Sequence, residues 1–275
     1  MTYFSFLIIF LGAPLQILAG LTIRDWRGRR SLPIQLRNWP AWLALTAHAV
    51  VALIYTTPWD NYLIASGVWW YDPELVSGIV LGWVPLEEYL FFILQPIVAG
   101  LWLLFLARRL PVEATVRAHP SSIRLSSTLV AGLLWLGAVA TLVGLGWAPG
   151  TYLALILGWA LPPIILQLAF GADILWRHRR LLLLTLASVT LYLSAADALA
   201  IASGTWTINP ALSLQIYLGG ILPLEEFIFF LVTNILLGFG MVLVLARQSQ
   251  ERLETELTQR SLKKNSTGRA TVDQL

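Results

Sequence analysis

PLEEYLFF, residues 85–92, and PLEEFIFF, residues 223–230, are the stretches whose reading decides the fold. Each sets two adjacent glutamates at the head of an apolar run, ILQPIVAGLWLLFL after the first and LVTNILLGFGMVLVL after the second. Proline at the first helical position with acids just behind it is an ordinary helix start, because the missing N–H is not needed there and the carboxylates favour the positive end of the helix dipole. The approach to each pair is apolar too, VSGIVLGWV before the first and LQIYLGGIL before the second. These helix starts are therefore expected to sit below the water boundary. An acid at the bilayer centre costs roughly 2.5–3.5 kcal/mol, less near the interface, and such residues usually face a protein interior and act there. Function outweighs helix-start structure on that ground. Adjacent helical residues lie about 100° apart, so one glutamate of each pair is expected to face a cavity while the other bonds structure.

The rest of the chain supports a membrane setting. Of 275 residues 57% are hydrophobic and only 12% charged, with mean hydropathy +0.73, where a soluble chain carries about a quarter charged residues. Apolar runs of roughly 20 residues span about 30 Å of hydrocarbon. Seven are read here, at Tyr3–Ile23, Trp42–Pro58, Pro85–Ala107, Ser127–Trp147, Tyr152–Trp176, Leu181–Ala202 and Gln215–Ala246. The first has no basic residues before it and no small-residue cleavage pattern, so it reads as an anchor and not a signal peptide. All 18 Lys and Arg fall in segments 24–37, 108–124, 177–180 and from Arg247 onward. With seven spans these segments share one face, as the positive-inside rule requires, which puts the N-terminus outside and the C-terminus in the cytoplasm. The same distribution accounts for the basic pI of 9.4 without any nucleic acid. The tail from residue 247 reads as a short solvated helix followed by disorder.

Several chemistries are excluded. There is no cysteine, hence no disulfide, thiolate metal site or thiol nucleophile. The three histidines, His48 among them, are too scattered for a metal site. No dinucleotide fingerprint, P-loop or aspartate-rich diphosphate motif occurs, so no cofactor is expected, flavin and nicotinamide included.

The chain repeats itself. Asp60, Ser66, Gly67, Trp69 and Pro73 return 137 residues later as Asp197, Ser203, Gly204, Trp206 and Pro210. After one inserted residue, Gly82 and PLEE match Gly220 and PLEE, and upstream WRGRR at 26–30 matches WRHRR at 176–180. Three spans per copy would invert the second copy; a linking span restores it, giving parallel repeats about an axis along the membrane normal. The expected architecture is an all-α polytopic membrane protein of about seven transmembrane helices. Residues 1–110 form the first repeat, 111–150 the linking helix, 151–246 the second repeat and 247–275 the polar tail. Both PLEE motifs then open at the outer ends of spans 3 and 7, beside Asp60 and Asp197. The apolar connections 62–84 and 199–222 are expected to dip back into the membrane. Trp59, Trp69, Trp70, Trp83, Trp147 and Trp206 lie near that boundary, where an aromatic belt explains most of them.

WDNYLIASGVWWYD followed by PLEEYLFF, then D-x6-G-x-W followed by PLEEFIFF, resembles the membrane lycopene cyclases of the heterodimeric type, here with both halves in one chain. The resemblance implies an acid-catalysed, redox-neutral cyclisation of a linear carotenoid such as lycopene to a ringed, β-carotene-type product. Its carry-over makes Glu87, Glu88, Glu225 and Glu226 the candidates for acid and base, with Asp60 and Asp197 to position them or share the proton. Asn61, Trp69, Trp206, Phe91, Phe92, Phe229 and Phe230 are the expected substrate contacts. The second half has Ala198 where the first has Asn61, so the halves need not be equal. The partners implied are a carotenoid and membrane lipid in the plasma membrane, with a second copy of the chain or another carotenoid enzyme allowed. The alternative is a proton-coupled transporter, which would also use parallel repeats and intramembrane acids. A retinal protein is excluded because the only lysines, Lys263 and Lys264, lie in the tail.

Overall fold

A computed structural model describes residues 1–111 and 121–272. Seven helices in it are long and apolar enough to cross a membrane: α1 (Tyr3–Arg27), α2 (Ala41–Ala65), α3 (Leu86–Ala107), α4 (Ser122–Leu145), α5 (Thr151–Arg177), α6 (Arg179–Ala202) and α7 (Leu224–Leu245). The tail forms α8 (Arg247–Val272). The motif-bearing helices α3 and α7 are the central pair, with 56% of the apolar window buried in each against 11% in α4. α4 packs chiefly on α5 at the periphery.

Three boundaries differ from the sequence expectation. α2 runs through Pro58 to Ala65, because a single proline removes one hydrogen bond and bends a membrane helix without ending it. The seventh helix starts at Leu224, after Pro223 in extended conformation, and not at Gln215. The tail is one helix through Val272 where a short helix and disorder were expected. Good helix formers and an i,i+4 bond from Gln250 to Glu254 (2.8 Å) favour its extension; residues 273–275 lie outside the described residues.

Proline placement dictates part of the packing. A helical proline frees the carbonyl four residues back, which in hydrocarbon must find another donor. In α5, Pro162 and Pro163 free the carbonyls of Gly158 and Trp159. Trp135 Nε1 of α4 donates to the first (3.2 Å) and Tyr55 Oη of α2 to the second (2.9 Å). In α1, Pro14 frees the carbonyl of Phe10, which accepts from Tyr192 Oη of α6 (3.1 Å). At the axis of the molecule Gln95 of α3 donates to Asn234 of α7 (2.9 Å), which donates to Thr190 of α6 (3.1 Å). Bonds of this kind contribute about 0.6 kcal/mol each in a membrane protein.

The apolar connections fold as caps over the ends of the helices. β1 (Trp69–Tyr71) pairs with β4 (Trp206–Ile208), while β2 (Val80–Leu81) with β3 (Val84–Pro85), and β5 (Tyr217–Leu218) with β6 (Leu222–Pro223), form one small hairpin per repeat. The repeated glycines supply positive φ, +69° at Gly67 and +75° at Gly204 after α2 and α6, then +70° at Gly82 and +75° at Gly220 inside the hairpins. In the β1–β4 register Trp70 faces Thr207, its own counterpart 137 residues on, so the pair is self-complementary about that point. The two caps are thereby joined directly above the starts of α3 and α7.

Candidate active site

The acids of the site come from helix ends brought under those caps, and the caps add Trp69, Tyr71 and Trp206. Pro85 and Pro223 stand extended before α3 and α7, so both PLEE motifs begin the first helical turn. The four glutamates are buried, and the helical turn sends each adjacent pair in two directions.

Glu87 and Glu225 face their own caps. Glu87 accepts from the Ser77 N–H (2.6 Å) and the Ser77 hydroxyl (3.0 Å), and Glu225 accepts from the Leu214 N–H (2.6 Å). Glu88 and Glu226 face inward, toward one another's repeat. Glu88 Oε2 accepts from the phenols of Tyr3 and Tyr71, the latter at 2.9 Å. Glu226 Oε1 accepts from the phenol of Tyr152 (2.6 Å). Asp197 Oδ1 accepts from Trp206 Nε1 (2.9 Å). The outer oxygens Oδ2 of Asp60 and of Asp197 are buried with no partner, as is Nε1 of Trp69.

Asp60, Glu88, Asp197 and Glu226 line a single cavity of about 40 Å³. Its remaining walls are aromatic or aliphatic: Tyr3, Phe6, Trp59, Leu63, Trp69, Phe91, Tyr152, Trp206, Phe229 and Phe230. No Lys, Arg or His lines it. Four carboxyl groups thus share one cavity with aromatic faces, which attract cations. Among the described residues no three His, Cys, Asp or Glu are placed to hold a metal ion.

Of the residues singled out from sequence, Asp60, Asp197, Glu88, Glu226, Trp69, Trp206, Phe91, Phe229 and Phe230 meet in this cavity. Phe92 lies outside it, one wall of a neighbouring groove. Asn61 is turned away: its Oδ1 accepts from the Trp83 N–H (2.8 Å), and its Nδ2 donates to the Thr57 carbonyl (2.8 Å) and the Tyr89 hydroxyl (3.3 Å). It pins the β2–β3 turn where Gly82 leaves room; a side chain on that glycine would collide with it. The three tyrosines were missed. Tyr3 and Tyr152 stand 149 residues apart, close to the 150 separating WRGRR from WRHRR, so the repeat could have offered them as a pair. Tyr71 has Ile208 as its counterpart, and nothing in the repeat marks it.

Comparison with known proteins agrees with the geometry. A family model described as lycopene cyclase matches residues 31–106 and 149–245, passing over the peripheral α4. A lycopene beta-cyclase of Halobacterium salinarum is 40% identical over 256 residues, covering 90% of this chain and 98% of that protein. A bifunctional lycopene cyclase/phytoene synthase of Podospora anserina is 38% identical over 200 residues, covering 70% of this chain and 33% of that longer protein. One of the same description from Aspergillus oryzae is 32% identical over 206 residues, 74% of this chain and 34% of its own length. No solved structure matches. The doubled PLEE motif, the joined caps and the matched segments have one account: this chain belongs to the lycopene cyclase family.

Proposed function

We propose that this chain closes rings on the ends of a linear carotenoid such as lycopene, with Glu226 delivering the proton and Glu88 receiving it. The terminal double bond of the acyclic end takes a proton from the carboxylic acid. The resulting tertiary cation is attacked by the neighbouring alkene, forming the ring bond and moving the cation into the ring. A carboxylate then removes a ring proton to leave a double bond. One proton enters and one leaves, so no electrons are exchanged and no redox partner enters the balance. Glu88, which accepts two phenol hydrogen bonds, is suited to the carboxylate role because charge-assisted O–H donors solvate an anion. Glu226 accepts only one. Asp60 and Asp197 hold the shared proton between turnovers, and the aromatic walls stabilise the cation. Glu87 and Glu225 act as positioning groups that tie the caps to the helix starts, and Asn61 does the same for the β2–β3 turn.

The observation that carries this reading is the meeting of acids from both repeats in one aromatic cavity free of cations. It also supports treating the two halves as one site. The basic segments favour a plasma-membrane orientation with the cavity toward the outer face, the N-terminus outside and α8 in the cytoplasm. A reporter fused after Arg247 should read cytoplasmic and one inserted near Pro73 should read outside.

The test is expression in a lycopene-accumulating bacterium with chromatography of its pigments. The parent chain should yield cyclic carotenoid, and a Glu88→Gln, Glu226→Gln double variant of normal membrane abundance should leave the acyclic pigment unchanged. Cyclic product from that variant at the parental rate would refute the assignment.

A further inference from the structure

A groove of about 460 Å³ opens between α2 and α5, with α3 and α7 as its floor. Its walls are mainly apolar and aromatic, Val51, Tyr55, Trp159 and Leu236 among them. Along α7 it runs from Phe229 to Val244, about 22 Å at 1.5 Å per residue. Several polar atoms in it are spoken for within the protein. His48 Nδ1 is bonded to the Ala44 carbonyl (2.7 Å), Gln167 Nε2 to that of Leu236 (3.0 Å) and Thr233 to that of Phe229 (2.8 Å), while Gln167 Oε1 is buried without a partner. Two of its rings, Phe91 and Phe229, are also walls of the acid cavity. A stack braces that junction: Trp59 lies 4.5 Å from Trp159 and 5.8 Å from Phe229 between ring centroids.

The opposite side of the molecule offers a contrast. A groove of about 520 Å³ lies between α1 and α6, lined by Ile9, Ala13, Ile17, Trp102, Val189 and Tyr192 among others, and shares no residue with the acid cavity. Phe6 closes that side, packed edge-on against Trp206 with centroids 5.1 Å apart. Of these two grooves, the one between α2 and α5 shares residues with the acid cavity and the other does not.

We propose that the groove between α2 and α5 is the polyene subsite: it takes the long apolar chain of the carotenoid laterally from the bilayer and leads one end between Phe91 and Phe229 to Glu88 and Glu226. This rests on the ring-closing reading above. The occupant is set by continuity with the acid cavity, by a length suited to an extended chain, and by walls that offer little to a charged or hydrogen-bonding guest. A chain lying in this groove presents one end at a time to the acids, so the molecule must withdraw and return reversed before its other end can close.

The absence of native cysteine makes a test after folding possible. Ala52→Cys in the proposed groove and Ala13→Cys in the opposite one are purified as full chains, labelled with N-phenylmaleimide, and labelling is checked by mass. Lycopene bound to the protein is measured by absorbance, in the parent and the Glu226→Gln background, together with ring formation. Unlabelled Ala13→Cys should bind and cyclise as the parent does, and each labelled variant is read against its own unlabelled form. Labelled Ala52→Cys should lose at least tenfold in bound lycopene in both backgrounds and in cyclisation, while labelled Ala13→Cys stays within twofold. Full binding by labelled Ala52→Cys, or equal losses from both labels, would overturn the groove assignment. Cyclisation by Glu226→Gln at the parental rate would instead sink the ring-closing reading, leaving the binding result to stand separately.

Discussion

Each repeat brings one inward glutamate and one aspartate to the shared cavity, yet the two sets are surrounded differently. In the first, Glu88 has two phenol partners, Tyr3 from α1 and Tyr71 from β1, while Trp69 Nε1, the counterpart of the Trp206 donor, bonds nothing. In the second, Glu226 has one phenol, Tyr152 from α5, and Asp197 is bonded by Trp206. The parts held alike are those on helices, where duplication copies position along with residue. The parts that differ include the cap, where Tyr71 has Ile208 as its counterpart, and the last turns of α2 and α6, where Asn61 has Ala198. The duplicated scaffold thus holds one cavity whose two sides are unlike, which suits the proposed division into one proton donor and one acceptor.

The strongest way to break this comparison is to disable each side alone. Glu88→Gln and Glu226→Gln should each lower the rate of ring formation by about 10²–10⁴-fold, the usual contribution of a general acid or base. Two independent sites would leave about half the parental rate in each variant. Glu87→Gln and Glu225→Gln keep an oxygen for the Ser77 and Leu214 N–H groups, and should cost far less. Product chromatography at equal protein abundance decides between these outcomes.

The tyrosines sharpen the asymmetry at a smaller scale. Tyr152→Phe removes the single phenol from Glu226 and should slow turnover by about tenfold, equivalent to about 1.4 kcal/mol of barrier. Tyr71→Phe leaves Tyr3 in place on Glu88 and should cost less. A larger loss from Tyr71→Phe than from Tyr152→Phe would mean that the two sides have been ranked in the wrong order.

Two further substitutions test structure apart from chemistry. Asn61→Ala imitates the second repeat and unpins the β2–β3 turn, so a thermal unfolding midpoint lower by a few degrees is expected, for about 1 kcal/mol, with turnover within twofold. Tyr192→Phe takes the donor from the carbonyl freed by Pro14. It should cost about 0.6 kcal/mol, seen as a small downward shift in the same measurement.

Much of the fold was legible because its cues are local. A run of about 20 apolar residues is long enough to span by itself, so Leu86–Ala107 and Leu224–Leu245 were visible as helices to within a few residues or, at Gln215, about nine. Pro58 misled because a helix end is a local signal in water and only a bend in hydrocarbon. The repeat of Asp, Gly, Trp and PLEE likewise pointed to one cluster, since a duplication that preserves spacing preserves placement. That adjacent glutamates must face different ways also followed from helical geometry alone.

Which glutamate faces inward was decided only when the caps and neighbouring helices closed around α3 and α7. Ser77 and Leu214 take Glu87 and Glu225 from the outside, and the phenol of Tyr3 reaches Glu88 across 85 residues of sequence, that of Tyr152 reaching Glu226 across 74. The cavity between the repeats, and the groove between α2 and α5 that abuts it, belong to the same level. Both are made of gaps between helices that are distant in the chain, and a gap has no residue of its own to mark it.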